Sequence, residues 1–159
     1  MNDAAPAWSL RVAPREWQRQ SLAKWLPSTL GVASVVTGGG KTVFAFLCMQ
    51  EFRKQNAVGR IVILVPTMTL LDQWYVWLQE DFGVPLDQIA CHSSQGKPRK
   101  PAAVNVLVIN TAREMARKLI DGRTFLIVDE CHRLGSPKNA KALQGDYTAA
   151  LGLSVTPQR

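Results

Sequence analysis

Cysteine is sparse in this 159-residue chain, and its placement excludes two common scaffolds. Cys48, Cys91 and Cys131 are odd in number, widely spaced and without a Cys-x-x-Cys pair, so neither a disulfide framework nor a four-ligand zinc site is encoded. They read as reduced thiols. No apolar run approaches the roughly 18 to 20 residues needed to span a bilayer. The opening stretch, Met1 to Trp8, carries Asp3 and Pro6 where a secretory leader would be basic and then apolar, so a cytoplasmic protein with no membrane partner is expected. Internal repeats, low-complexity tracts and a dividing linker are also missing. That leaves one domain over residues 1–159, with residues 1–12 as a mobile tail. Acidic residues are the scarcer sign: 12 Asp and Glu against 19 Lys and Arg give a formal charge of +7. Such a balance favours polyanionic partners through phosphate contacts and counterion release, but does not by itself name one.

What the chain does contain is a soluble composition, 47% apolar and 19% charged, and an alternation of short apolar runs with helical patterns. Val32 to Val36, Arg60 to Val65, Val104 to Ile109, Phe125 to Val128 and Leu151 to Val155 each read as a buried strand. Thr42 to Lys54 is apolar on most of its surface until the basic end at Arg53 and Lys54, as suits a buried helix whose last carbonyls favour cations. Leu70, Leu71, Trp74, Trp77, Leu78 and Phe82 recur at spacings of three and four, one face of an amphipathic helix. Arg15 to Trp25 predicts a further helix, stopped near Pro27. Strand followed by helix, repeated, implies an α/β fold: a mostly parallel sheet with helices on both faces.

Between the first strand and the long helix stands Val36-Thr37-Gly38-Gly39-Gly40-Lys41-Thr42, the context that a phosphate-binding loop (P-loop) requires. Glycines let backbone amides approach phosphates closely, and the helix N-terminus adds its positive dipole end. Lys41 would pair with the β and γ phosphates of ATP, and the Thr42 hydroxyl would ligate Mg²⁺. Val35 stands where such loops usually begin on a smaller residue. Further on, Phe125-Leu126-Ile127-Val128 runs directly into Asp129-Glu130-Cys131-His132. An apolar strand ending in two acids delivers carboxylates to the carboxyl edge of a parallel sheet, where ligands of such sheets bind. Asp129 would hold the same Mg²⁺, and Glu130 would orient the water attacking the γ phosphate.

The Thr-Gly-Gly-Gly-Lys-Thr loop, the Asp-Glu-Cys-His tetrad and the closing Ser154-Val155-Thr156-Pro157, in that order, resemble the DExH-type superfamily 2 helicases. The final phrase, Ala150 to Arg159, is most similar to the branch containing excision-repair helicases and restriction-enzyme motors. The resemblance runs from Gln18 to Thr156 and implies the first, RecA-like, ATP-binding domain of such a motor, a nucleic-acid-dependent ATPase. It implies that Gln18 reads the adenine with Arg15 nearby, and that Pro66 and Thr67, in the segment running to Gln73, touch the nucleic-acid backbone. Thr111 is implied at a second such position. His132, Ser154 and Thr156 are implied to couple nucleotide state to the track, with Ser-Val-Thr here in place of Ser-Ala-Thr. DNA is favoured over RNA on branch similarity alone. The family's second RecA-like domain, which supplies arginine fingers, would have to come in cis or in trans. Without it we expect weak ATP binding and very slow hydrolysis.

Two other readings stay open at this point. A truncated or split domain would bind nucleotide and nucleic acid without turnover on its own. Another P-loop phosphotransferase would share the loop but not the Asp-Glu pair or Gln18. Among lesser features, the basic run Lys97 to Lys100 reads as a solvated loop, Trp74 and Trp77 as core or interdomain packing rather than base stacking, and Cys91 and His92 as ordinary loop or strand residues.

Overall fold

The computed structural model of the chain describes residues 8–36, 40–93, 100–134 and 145–155. Among these residues six strands, β1 (Leu30–Val35), β2 (Arg60–Val65), β3 (Ile89–His92), β4 (Val104–Val108), β5 (Thr124–Val128) and β6 (Ala149–Val155), form one sheet in the order β1-β6-β5-β2-β4-β3. Every pairing in it is parallel. The connections carry α1 (Glu16–Trp25), α2 (Lys41–Gln55), α3 (Met68–Glu80) and α4 (Ile109–Met115), with single 3₁₀ turns at Leu86–Gln88, Ala116–Leu119 and Cys131–Leu134. Among the described residues no helix is long and apolar enough to cross a membrane.

Because successive side chains of a strand point to opposite faces, each central strand feeds two cores. Ile61, Ile63 and Val65 of β2, with Val106, Phe125, Ile127, Leu151 and Leu153 of its neighbours, join the larger core, to which α1, α2 and α3 contribute. The alternate residues Val62 and Leu64, with Leu107, Leu126 and Val128, pack with Ala112, Ala116 and Leu119 on the other side. The near-continuous apolar runs of the sequence are thus the consequence of a sheet covered on both faces. Helix α2 buries Phe44 through Met49 and then Phe52, which is why it shows no polar stripe until its end.

Three sequence expectations shift. Ile109 leaves the strand and starts α4, a helix the apolar run Val104 to Ile109 concealed. Strand β3 is not among the strands read from the sequence, where Cys91 and His92 read only as loop or strand residues: four residues are too few to show a period, and its polar end is accommodated by burial of His92, whose Nε2 lies 3.1 Å from Asn105 Oδ1. Of the tail expected over residues 1–12, residues 1–7 lie outside the described residues, and from Trp8 the chain runs as a strap anchored at Trp8 and Arg11. Trp8 is 4% exposed, donates its indole N–H to Gln88 Oε1 at 2.8 Å, and lies under the Arg53 guanidinium at 4.0 Å. Arg11 N donates to Asp81 O at 2.9 Å, tying the strap to the end of α3. Of the basic loop, residues 94–99 lie outside the described residues.

Candidate nucleotide-binding site

The carboxyl ends of β1, β5, β2 and β6 lie along one edge of the sheet, and the loops leaving them carry most of the residues singled out in the sequence. At the end of β1, Gly40 is the N-cap of α2 and adopts φ +89°, a left-handed conformation natural to glycine. Lys41 and Thr42 follow as the first two residues of α2, at its dipole-positive end. Thr37, Gly38 and Gly39 lie outside the described residues.

At the end of β5, Asp129 extends the pairing by one bond, its N–H reaching Leu64 O at 2.9 Å. Its side chain is 1% exposed and is met by Lys41, whose Nζ lies 3.1 Å from Oδ1. These two residues are 88 positions apart in the chain, so only the fold unites them. The same Oδ1 accepts from the Glu130 N–H at 2.9 Å. Oδ2 accepts the indole N–H of Trp74 at 2.9 Å, a contact buried in the core. Glu130 has φ +50°, a conformation costly for a side-chain-bearing residue and typical of sites whose geometry the surroundings impose.

Cys131 and His132 continue into the 3₁₀ turn that packs on β6. Burial, with some help from Asp129 and against a backbone hydrogen bond and Lys41, pushes the Cys131 thiol above its ordinary range. Room for it comes from Gly152: a Cβ there would lie 3.1 Å from Cys131 Sγ and 3.2 Å from Val32 Cγ2. His132 Nδ1 lies 3.5 Å from Ser154 Oγ, so two of the three residues expected to couple nucleotide to track are neighbours. Thr156 lies outside the described residues.

Gln18 sits beside the phosphate loop and bonds to it. It is 1% exposed, and both ends of its amide are engaged inside the protein: Oε1 accepts from Arg15 N at 2.7 Å and Nε2 donates to Gly40 O at 2.8 Å. It therefore staples α1 to the start of α2, while the second Nε2 hydrogen and the remaining Oε1 lone pair are left for the adenine-reading role expected of it. Arg15 lines a cleft of about 620 Å³ with Trp17, Val36 and Phe44, beside the loop and not over the acidic pair. Replacing Gly40 by Ala should destabilise the chain by about 1–3 kcal/mol. The new Cβ would sit 2.5 Å from Gln18 Nε2 on a backbone at φ +89°. Denaturant unfolding that leaves the midpoint unchanged would show that the staple carries no weight.

The expected nucleic-acid positions lie at the start of α3 and α4. Thr67 is exposed and is the N-cap of α3, its hydroxyl accepting from Leu70 N at 3.2 Å, a local role sufficient to explain a threonine there. Pro66 is half-buried before it and Gln73 is exposed. Thr111, implied at a second such position, keeps 9% of its surface, because the first turn of α4 packs down on the sheet.

A family model described as the type III restriction enzyme res subunit (ResIII) matches residues 11–159. The chain belongs to that family. Among curated relatives of this ResIII chain, protein ML1624 of Mycobacterium leprae is 31% identical over 159 aligned residues, covering 91% of the chain and 26% of the relative. A Haloarcula marismortui protein, provisionally named as the DNA 3'-5' helicase Rad25, is 29% identical over 94% of the chain and 24% of its own length. The ATP-dependent helicase YqhH of Bacillus subtilis, itself uncharacterized, is 32% identical over 72% of the chain and 20% of the relative. The chain thus spans about a quarter of the length of the curated relatives it matches. Among solved structures, the Sulfolobus solfataricus SWI2/SNF2 ATPase core in complex with dsDNA superposes with TM-score 0.75 at 18% identity, over 95% of this chain and 34% of that one. The UvsW helicase of bacteriophage T4 gives 0.74 at 19%, over 93% and 55%. The fold is that of the RecA-like domain of these proteins, and the resemblance to superfamily 2 helicases holds at the level of the family.

Proposed function

We propose that the chain is the ATP-binding first domain of a DNA helicase or translocase, working inside the cell with a second RecA-like domain that completes the motor. The observation that carries this reading is the meeting of Lys41 and Asp129 at 3.1 Å, at the N-terminus of α2 and the carboxyl end of β5. A lone ammonium facing a carboxylate, with a hydroxyl at Thr42 and a second acid at Glu130, is a donor set of hard oxygens plus one cation, which fits Mg²⁺ and a triphosphate. Among the described residues there is no group of three or more His, Cys, Asp and Glu that could cage a metal, so the remaining ligands would be phosphate oxygens and water, the usual arrangement for Mg²⁺. When bound, Mg²⁺ supplies neutralisation of the phosphate charge.

In this reading Lys41 binds the β and γ phosphates, Thr42 and Asp129 hold the metal, and Glu130 accepts a proton from the attacking water. The new bond joins that water's oxygen to the γ phosphorus, and the bond to the bridging oxygen breaks. His132 and Ser154, with Thr156, would relay the outcome to the track, which would pass over Pro66, Thr67 and Gln73, with Thr111 at its margin. The +7 charge, the DNA-bound Sulfolobus structure and the name of the Haloarcula relative support DNA as that track. Because an arginine finger from a partner domain is worth about a thousandfold or more in rate, the isolated chain should bind ATP weakly and turn it over very slowly.

Titration with a fluorescent ADP analogue tests the reading. Lys41→Ala should weaken binding by about tenfold to a hundredfold, the value of a charge-assisted contact to phosphate. Equal affinity in variant and wild type, with both folded, would place the nucleotide elsewhere.

A further inference from the structure

Trp74 has a role that its place in an apolar stripe conceals. The indole is fully buried, wedged edge-on against Phe46 and Trp77 at centroid distances of 5.8 Å each. Its N–H points out of this apolar packing to Asp129 Oδ2, 2.9 Å away. An indole can only donate, so it cannot move a proton on or off the carboxylate; what it can do is fix the carboxylate's rotation. With Oδ2 held from the core side, Oδ1 is the oxygen turned toward Lys41 Nζ at 3.1 Å. Partners that orient a metal ligand in this way commonly affect metal affinity by ten- to a hundredfold.

We propose that Trp74 is the positioning residue of the Mg²⁺ site: its N–H orients Asp129 so that one oxygen faces the phosphate loop. Because Trp74 belongs to α3, whose first residue follows the Thr67 cap, the orientation of Asp129 is tied to the same helix that begins at the expected nucleic-acid surface. This rests on the nucleotide-binding reading above, and the test separates the two.

The variant is Trp74→Phe, which keeps an aromatic ring in the core and removes the donor together with part of the ring volume. Binding of the fluorescent ADP analogue is titrated with Mg²⁺, and separately measured in EDTA. The expected result is a Mg²⁺ half-saturation raised by about tenfold or more, with metal-free affinity within about twofold of wild type. A core role alone would lower the unfolding midpoint and leave the Mg²⁺ half-saturation unchanged, and that result overturns the proposal. Wild-type binding indifferent to Mg²⁺ would instead sink the nucleotide reading, and this proposal with it.

A second readout does not depend on how well the variant folds. The chain has five tryptophans, so ¹⁵N labelling gives a sparse set of indole N–H resonances. The Trp74 signal should move with Asp129→Asn, and with Mg²⁺·ADP but not with ADP in EDTA. An indole signal unmoved by both overturns the assignment.

Discussion

Glu130→Gln, in this chain completed by a second RecA-like domain, should reduce nucleic-acid-stimulated ATP hydrolysis by about a hundredfold to ten-thousandfold, the usual contribution of a positioned general base. Nucleotide affinity should hardly change, because the amide keeps the shape of the carboxylate and Lys41 and Asp129 are untouched. The structure gives a reason to expect the effect to be large. Glu130 follows the buried Asp129 at the very end of β5, where the backbone is turned to φ +50° and its N–H is bound by the Asp129 carboxylate at 2.9 Å. A conformation of this kind costs about 1–2 kcal/mol in an ordinary residue, so it is maintained by its surroundings and not chosen by glutamate. A steady-state assay in which the variant retains even a third of wild-type turnover would move the base to another residue.

Phe46→Ala should cost about 3–5 kcal/mol of stability. Phe46 is fully buried at the centre of α2, stacked on Phe82 at 4.8 Å with the rings 1° from parallel, and perpendicular to Trp74. Alanine would leave a cavity bounded by two other rings that are themselves held, by the Trp8 strap on one side and by Asp129 on the other. Chemical denaturation reads the loss directly, and a change below about 1 kcal/mol would mean that the two remaining rings close the gap, as adaptable cores do.

The strands easiest to read from the sequence were those with abrupt ends. Arg60 to Val65 stops at Pro66, and the run from Phe125 stops at Asp129, one residue short at its start and correct at its end. Val104 to Ile109 has no such break, and α4 was lost inside it. In Ile89–His92 the polar end is stabilised by Asn105, a partner 13 residues away from His92, which a local pattern cannot reveal. The acidic pair and the Gly-Lys-Thr were legible because their chemistry requires them to follow strand ends. How Lys41 meets Asp129 was a bet on topology, and the parallel order β1-β6-β5 places the two loops at one edge. Trp74 was legible only as an apolar helix face: periodicity tells which way a side chain points and says nothing about what its single N–H will find. Gln18 is assigned to the base because its surroundings resemble a family motif; its bonds to Arg15 and Gly40 at 2.7 and 2.8 Å depend on how α1 docks and were not legible in the sequence.

The position of β6 bears on how the molecule is made. Strand β6, the last of the described strands, sits inside the sheet, with β1 on one side and β5 on the other, and among the described strands β1 has no other neighbour. A nascent chain emerging from the ribosome can pair β2, β4 and β5 as they appear, but β1 has to wait for residues 149–155 before it acquires a hydrogen-bonded companion. Completion of the sheet is thus a late, long-range event, of the kind that folds slowly and leaves hydrophobic strand surface open to aggregation or chaperone capture in the interval.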